Sequence, residues 1–248
     1  MPELNRRDFQ QLSNTEKQSE RLYLRHFVLK PPFPDSYLPK IEMFETLNEE
    51  RNDVSYVLKV SFSVPKLLFG NSLQEVSEID FERVLYALKK ALTGVGILLE
   101  SGTVANARVS EVHFCKNVLL PAEIRMQEIL AELTRLDISK VVDITKKEFK
   151  HGGQLLHIYS GTIERVFYDK ISDALRPKVK RKDKGRMGRE RGIIEQHDLE
   201  NREVFRYEYR IKKTQTIKRE INATLGREPK TFVVFKDLFT PDLCKAVV

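Results

Sequence analysis

The chain has 248 residues, 41% of them hydrophobic and 32% charged, with a formal charge of +7, which is room for one large or two small domains with a heavily charged surface. No stretch reaches the ~20 apolar residues of a membrane helix, and the polar start (Asn5, Arg6, Arg7, Asp8) lacks the apolar core of a signal peptide. Two cysteines, Cys115 and Cys244, form neither a disulfide framework nor a zinc cluster, so secretion and membrane insertion are not indicated and a reducing cytoplasm is expected.

In chain order, residues 1–20 are polar and read as frayed, and Lys30 to Asp35 is a proline-rich turn. Residues 54–64 read as a strand stopped by Pro65, and Leu67 to Asn71 as a turn. Residues 79–92 read as an amphipathic helix with Ile79, Val84, Leu85, Leu88 and Leu92 on one stripe, closed by Gly94 and Gly96. Residues 107–115 alternate as a strand, with Val112 and Phe114 on one face and Glu111, His113 and Cys115 on the other. A second helix is predicted from about Pro121 to about Leu136. Residues 154–159 and 162–169 form a predicted hairpin around Ser160-Gly161. A strand follows at 203–211, with Phe205, Tyr207, Tyr209 and Ile211 opposite Arg206, Glu208 and Arg210. A helix is predicted from Lys212 to Leu225.

This order predicts an α+β fold, a mostly antiparallel sheet with helices packed on one face. The expected division is an N-terminal extension over 1–50, a main domain over 51–225 and a C-terminal segment over 226–248.

The positive charge is local. Residues 176–191 hold nine basic residues (Arg176, Lys178, Lys180, Arg181, Lys182, Lys184, Arg186, Arg189, Arg191) and two acidic ones (Asp183, Glu190), a surplus equal to that of the whole chain. The run has two glycines, no apolar periodicity and no aromatic residue, so it reads as a charged loop that orders on phosphate without stacking on bases. Lys212, Lys213, Lys218 and Arg219 extend the same basic character.

Just before this run lies Val166-Phe167-Tyr168-Asp169-Lys170. On a strand, Tyr168 and Lys170 share a face and Asp169 points away. A cation beside a phenol favours the phenolate, whose ordinary pKa of ~10 keeps it scarce at neutral pH. Such a pair suits a nucleophile that attacks a phosphate.

Four segments together resemble the N-terminal domain of the filamentous-phage replication initiators, the gene II protein family, and more distantly the plasmid initiators of rolling-circle replication. They are Ser61 to Asn71 (SFSVPKLLFGN) before the amphipathic helix, Val109 to Asn117 (VSEVHFCKN), Val166 to Lys170 (VFYDK), and Phe205 to Lys212 (FRYEYRIK). The resemblance covers roughly residues 53–220. It implies a nuclease that nicks one strand of a DNA replication origin, stays joined to the 5′ phosphate through a tyrosine and leaves a 3′ hydroxyl as primer, in the cytoplasm of a bacterial host and alongside host replication proteins. Tyr168 falls at the family's tyrosine, Lys170 at its lysine and Glu208 at the carboxylate of the late strand. Some members carry Asp where this chain has His113, and an acidic residue near the position of Ser61.

The chemistry implied uses Mg²⁺ or Mn²⁺ to stabilise the charged phosphoryl transition state. Its expected ligands are Glu208, His113, Glu111 and His157. Other readings of the same residues stand beside this one. Tyr168 suits a structural role, Glu208 suits ion pairs with Arg206 and Arg210, and His113 and His157 suit a satisfied sheet surface. At the level of function the alternatives are a non-catalytic α+β nucleic-acid-binding module and a metal-dependent nuclease that uses water.

Overall fold

The computed structural model of the chain describes residues 9–15, 22–29, 37–48, 53–137, 144–150, 154–176 and 184–247. It has helices and two antiparallel sheets, the α+β class expected. The first sheet has the order β1-β2-β3-β4, from Phe9–Thr15, Leu22–Leu29, Lys40–Asn48 and Asp53–Ser61. The second has the order β5-β9-β8-β7-β6, from Val112–Leu119 (β5), Lys146–Lys150 (β6), Leu155–Ser160 (β7), Ile163–Asp169 (β8) and Val204–Ile211 (β9).

Each sheet closes its own apolar core. Helix α1 (Val64–Phe69) ends at Gly70, whose φ of 73° is the left-handed cap that a Cβ would strain. Helix α2 (Phe81–Thr93) presents Leu85, Leu88 and Leu92 to Leu29 of β2 and Ile41 of β3, and Val104 of the short α3 (Ser101–Ala105) completes the cluster. The side chains at three- and four-residue spacing on α2 form one stripe, so the helix buries one face and leaves Arg83 and Tyr86 outside. The first arms of this core precede residue 50. Strands β3 and β4, on either side of that position, are paired from Lys40↔Ser61 to Asn48↔Asp53.

In the second sheet, alternation sorts the side chains. Leu156, Ile158, Phe167 and Phe205 face α4 (Met126–Arg135), where Met126 and Leu130 are buried. Ile163 and Ile211 face α7 (Thr214–Thr224), through Ile217 and Ile221. Val233 and Leu243 of the last segment join this second cluster, and Phe235 touches the rings of Phe62 and Phe81. The segment after residue 225, which ends in α8 (Pro241–Val247), thus packs against both halves of the molecule. Flanking the first half of the basic run, α5 (Lys170–Leu175) and α6 (Lys184–Gln196, which carries the second half) bury Ile171, Ala174 and Ile194 against Val204.

Several sequence expectations change here. The segment read as a turn at Leu67 to Asn71 is mostly the end of α1, because Pro65 in the first helical turn starts a helix as readily as it ends a strand. Ile79 is not on the apolar stripe of α2. It lies in a 3-10 turn and is 83% exposed. Residues 9–15 of the polar N-terminus form a strand rather than a frayed end. The proline-rich turn at 30–35 lies outside the described residues.

The basic run also differs from a loop. From Lys184 onward it is helical, and its end is anchored by Ile194, which is completely buried. The apolar anchor sits just beyond the charged residues, so the run alone shows no period. Lys178, Lys180, Arg181 and Lys182 lie outside the described residues.

Candidate functional site

The polar face of the second sheet is the candidate site. Register places three rows across its five strands. One row is His113, Arg210, Glu164, Tyr159 and Lys146; the next is Cys115, Glu208, Val166, His157 and Glu148; the third is Asn117, Arg206, Tyr168, Leu155 and Lys150. Expected candidates from separate strands therefore share one surface.

At its centre is a phenol–carboxylate pair. The Tyr168 hydroxyl donates to Glu208 Oε1 at 2.7 Å. Arg206 Nε donates to the same oxygen at 2.7 Å, and Arg210 Nε donates to Oε2 at 2.8 Å. Burial pulls the Glu208 carboxyl up, but Arg206, the Tyr168 hydroxyl and Arg210 pull it further the other way, down to about 2. Tyr168 is only 9% exposed. Burial pushes its phenol well above the ordinary tyrosine range, and neighbouring Glu208 adds to the rise against the pull of Arg206.

Lys170 does not sit on the strand with Tyr168. Strand β8 ends at Asp169, whose carboxylate caps α5 by accepting from the backbone N–H groups of Ile171 and Ser172. It also accepts from Val204 N at 3.0 Å, which ties the helix start to β9. Asp169 does point away from the phenol, as alternation requires. Lys170 opens the helix, and its ammonium faces Asp173 at 3.9 Å and Glu190 at 4.0 Å. The cation that meets the pair directly is Arg206, bonded to the oxygen that also receives the phenol.

The expected metal ligands fall into separate pairs. His113 Nε2 lies 3.0 Å from Glu111 Oε1 at the open rim, and burial with nearby Arg210 holds its imidazole below the ordinary histidine pKa. His157 Nε2 lies 3.2 Å from Glu164 Oε2, inside the sheet surface, and stacks on Tyr159 with ring centres 3.9 Å apart. Lys212 Nζ closes on Glu164 Oε1 at 2.5 Å. Both oxygens of Glu208 already accept from guanidinium groups, so this carboxylate as arranged does not fit a divalent cation. Among the described residues no group of three or more His, Cys, Asp and Glu side chains is placed to hold one. Of the expected ligands, the exposed Glu111–His113 pair is where a hard cation would meet a carboxylate and an imidazole.

The expected DNA contacts are also divided. Arg176 at the end of α5 bonds Gln154, and Arg191 on α6 pairs with Glu195. Lys184, Arg186 and Arg189 are on α6. Lys212 is engaged with Glu164, and Lys213 precedes α7 and is exposed.

Residues of the site that sequence reading passed over include Glu164, Asn117 and Ser72. Glu164 was discoverable, since it alternates on β8 with Tyr168. Ser72 was not. Its carbonyl accepts from Arg206 Nη1 at 2.9 Å only because the chain after α1 folds back onto the sheet. Asn117 Nδ2 donates to the neighbouring Leu73 carbonyl at 2.9 Å and holds the same crossing.

No helix among the described residues is long and apolar enough to cross a membrane. Comparison with protein-family models, curated proteins and solved structures returns no match to this chain.

Proposed function

We propose that this chain is a rolling-circle DNA replication initiator of the bacterial cytoplasm, a site-specific nicking endonuclease and strand transferase that acts with host replication proteins. The observation that carries the reading is the Tyr168–Glu208 hydrogen bond on an antiparallel sheet whose adjoining helices lead into the basic run. In the proposed step, the Tyr168 oxygen attacks an origin phosphorus and gives up its proton to solvent water. The bond from phosphorus to the 3′ oxygen breaks, that oxygen takes a proton from water, and the 5′ phosphate stays on the tyrosine. Arg206 and Arg210 hold the carboxylate that orients the phenol. The retained phosphotyrosyl bond allows a later 3′ hydroxyl to rejoin the strand without ATP.

Supercoiled plasmid bearing the origin, incubated with Mg²⁺, Mn²⁺ or a chelator, tests this on denaturing gels run with and without protease. The expected product is nicked DNA with protein on its 5′ end, lost in Tyr168→Phe. Loss of cleavage in the chelator assigns the metal a part. Cleavage that survives Tyr168→Phe means water is the nucleophile.

A second reading is favoured by the burial of Tyr168 and the upward push on its phenol. In it the chain is a non-catalytic nucleic-acid-binding module and the pair is structural. Origin binding with no nick under any metal condition selects it.

A further inference from the structure

Helix α6 belongs to the basic run, yet Glu190 on it is 7% exposed and faces inward. Its Oε1 accepts from Ser72 Oγ at 2.5 Å and lies 3.4 Å from Lys66 Nζ and 4.0 Å from Lys170 Nζ. Three separate segments, the last turn of α1, the chain after it and the start of α5, therefore converge on one carboxylate oxygen. Lys170 is only 5% exposed. A buried ammonium is costly unless closely paired, and its two carboxylates, Asp173 at 3.9 Å and Glu190 at 4.0 Å, both stand at the outer edge of a pair. Burial pulls the Lys170 pKa down, and Glu190 only partly offsets it.

The donor set is wider than its occupant. Two ammonium groups and a hydroxyl share one oxygen, and neither ammonium is at the ~2.8 Å of a close charged hydrogen bond. A tetrahedral phosphate, with its several oxygens and larger radius, would reach all three donors. The same Ser72 leads to the phenol: its carbonyl accepts from Arg206, which holds Glu208 beside Tyr168. Beyond Glu190, a cleft lined by Leu73, Gln74, Ile193, Gln196, His197 and Leu199 opens between α6 and the 73–74 segment, so the helix is not sealed to that segment along its length.

We propose that Lys66, Ser72 and Lys170 form a binding site for a DNA backbone phosphate, and that Glu190 fills it as an internal stand-in until DNA displaces it. This rests on the reading that the chain binds DNA, and it adds a gate: the basic helix blocks the cradle with its own carboxylate and releases it when its cations move to the strand. Glu190 lies between Lys66 and Lys170, with Asp173 as the other carboxylate facing Lys170, so removing the Glu190 charge frees the cradle.

Binding of a fluorescent single-stranded oligonucleotide of about 12 nucleotides, at fixed salt, tests the site. Glu190→Ala is expected to tighten binding about tenfold, and Glu190→Gln to do so in part. Glu195→Ala, on the same helix but paired at the surface with Arg191, adds the same charge and is expected to change binding less than about twofold. Adding Lys66→Ala to Glu190→Ala is expected to remove the gain. Equal gains in the Glu190 and Glu195 variants, a gain that survives Lys66→Ala, or no gain in variants that still melt cooperatively would overturn the proposal. Phosphorus NMR with inorganic phosphate separates the two readings. If no variant binds the oligonucleotide but Glu190→Ala broadens the phosphate line more than wild type does, the anion site stands and the DNA reading fails. No broadening overturns the site as well.

Discussion

Glu208 shows how one residue acquires its properties from its neighbours. Flanked in sequence by Arg206 and Arg210, it gains a third donor, Tyr168, only through strand pairing. Its folded pKa lies below the ordinary carboxylate value, so it contributes stability above the unfolded pKa and loses it as pH falls through the folded one. The drop from 4.5 to about 2 corresponds to a contribution on the order of 3 kcal/mol at neutral pH. Chemical unfolding of wild type and Glu208→Gln at a series of pH values should show a stability difference that is level above about pH 5 and shrinks from there toward about pH 2. In Glu208→Gln the part of the pH slope due to this residue should vanish and neutral stability should be lower, since the buried Arg206 guanidinium loses its counter-charge and the half-buried Arg210 keeps only Glu164, at 3.8 Å.

The junction of β8 and α5 is the element on which the site turns. Asp169 satisfies three backbone N–H groups, two at the start of α5 and one on β9. It therefore stops the strand one residue after Tyr168 and turns Lys170 toward Glu190. Asp169→Ala should cost about 1–3 kcal/mol, measured by urea unfolding, because it removes a cap and leaves buried donors without a partner. The hairpin before it is set by Gly161 at φ 58°, whose left-handed conformation lets β7 and β8 keep Leu155 opposite Tyr168. The alternation of β5, β8 and β9 was readable in the sequence, so the residues of the polar face were separable from those of the apolar face. The strand end was not readable: VFYDK continues the pattern of alternation, and only the bonds made by Asp169 break it.

Across the whole molecule, the first sheet and the second share a chain but bury different cores. Removal of residues 1–50 would take away β1, β2 and β3 and strip Leu29 and Ile41 from Leu85, Leu88 and Leu92 of α2. Each large side chain so uncovered forfeits about 1.5–3 kcal/mol. The shortened chain should bind a hydrophobic dye and lose near-ultraviolet circular dichroism, where a dispensable extension would leave both unchanged. Charge is also a whole-molecule property. If roughly five cations of the basic run meet phosphates, the logarithmic plot of DNA affinity against salt should have a slope of about −4 to −5, measured by fluorescence anisotropy.

Local pattern was sufficient for β5, β7, β8 and β9 of the second sheet, though not for β6, for the two faces of those strands and for the concentration of charge in residues 176–191, because period and composition are properties of neighbours in sequence. It was sufficient also for naming Tyr168 and Glu208 as candidates. Tertiary structure decided which candidates meet. Strand order placed Tyr168 on Glu208 and left His113 with Glu111 and His157 with Glu164. The return of the chain after α1 brought Ser72 beside Arg206, and α6 carried Glu190 to Lys66 and Lys170. Those contacts join residues as many as 134 positions apart, and no periodicity spans such a distance.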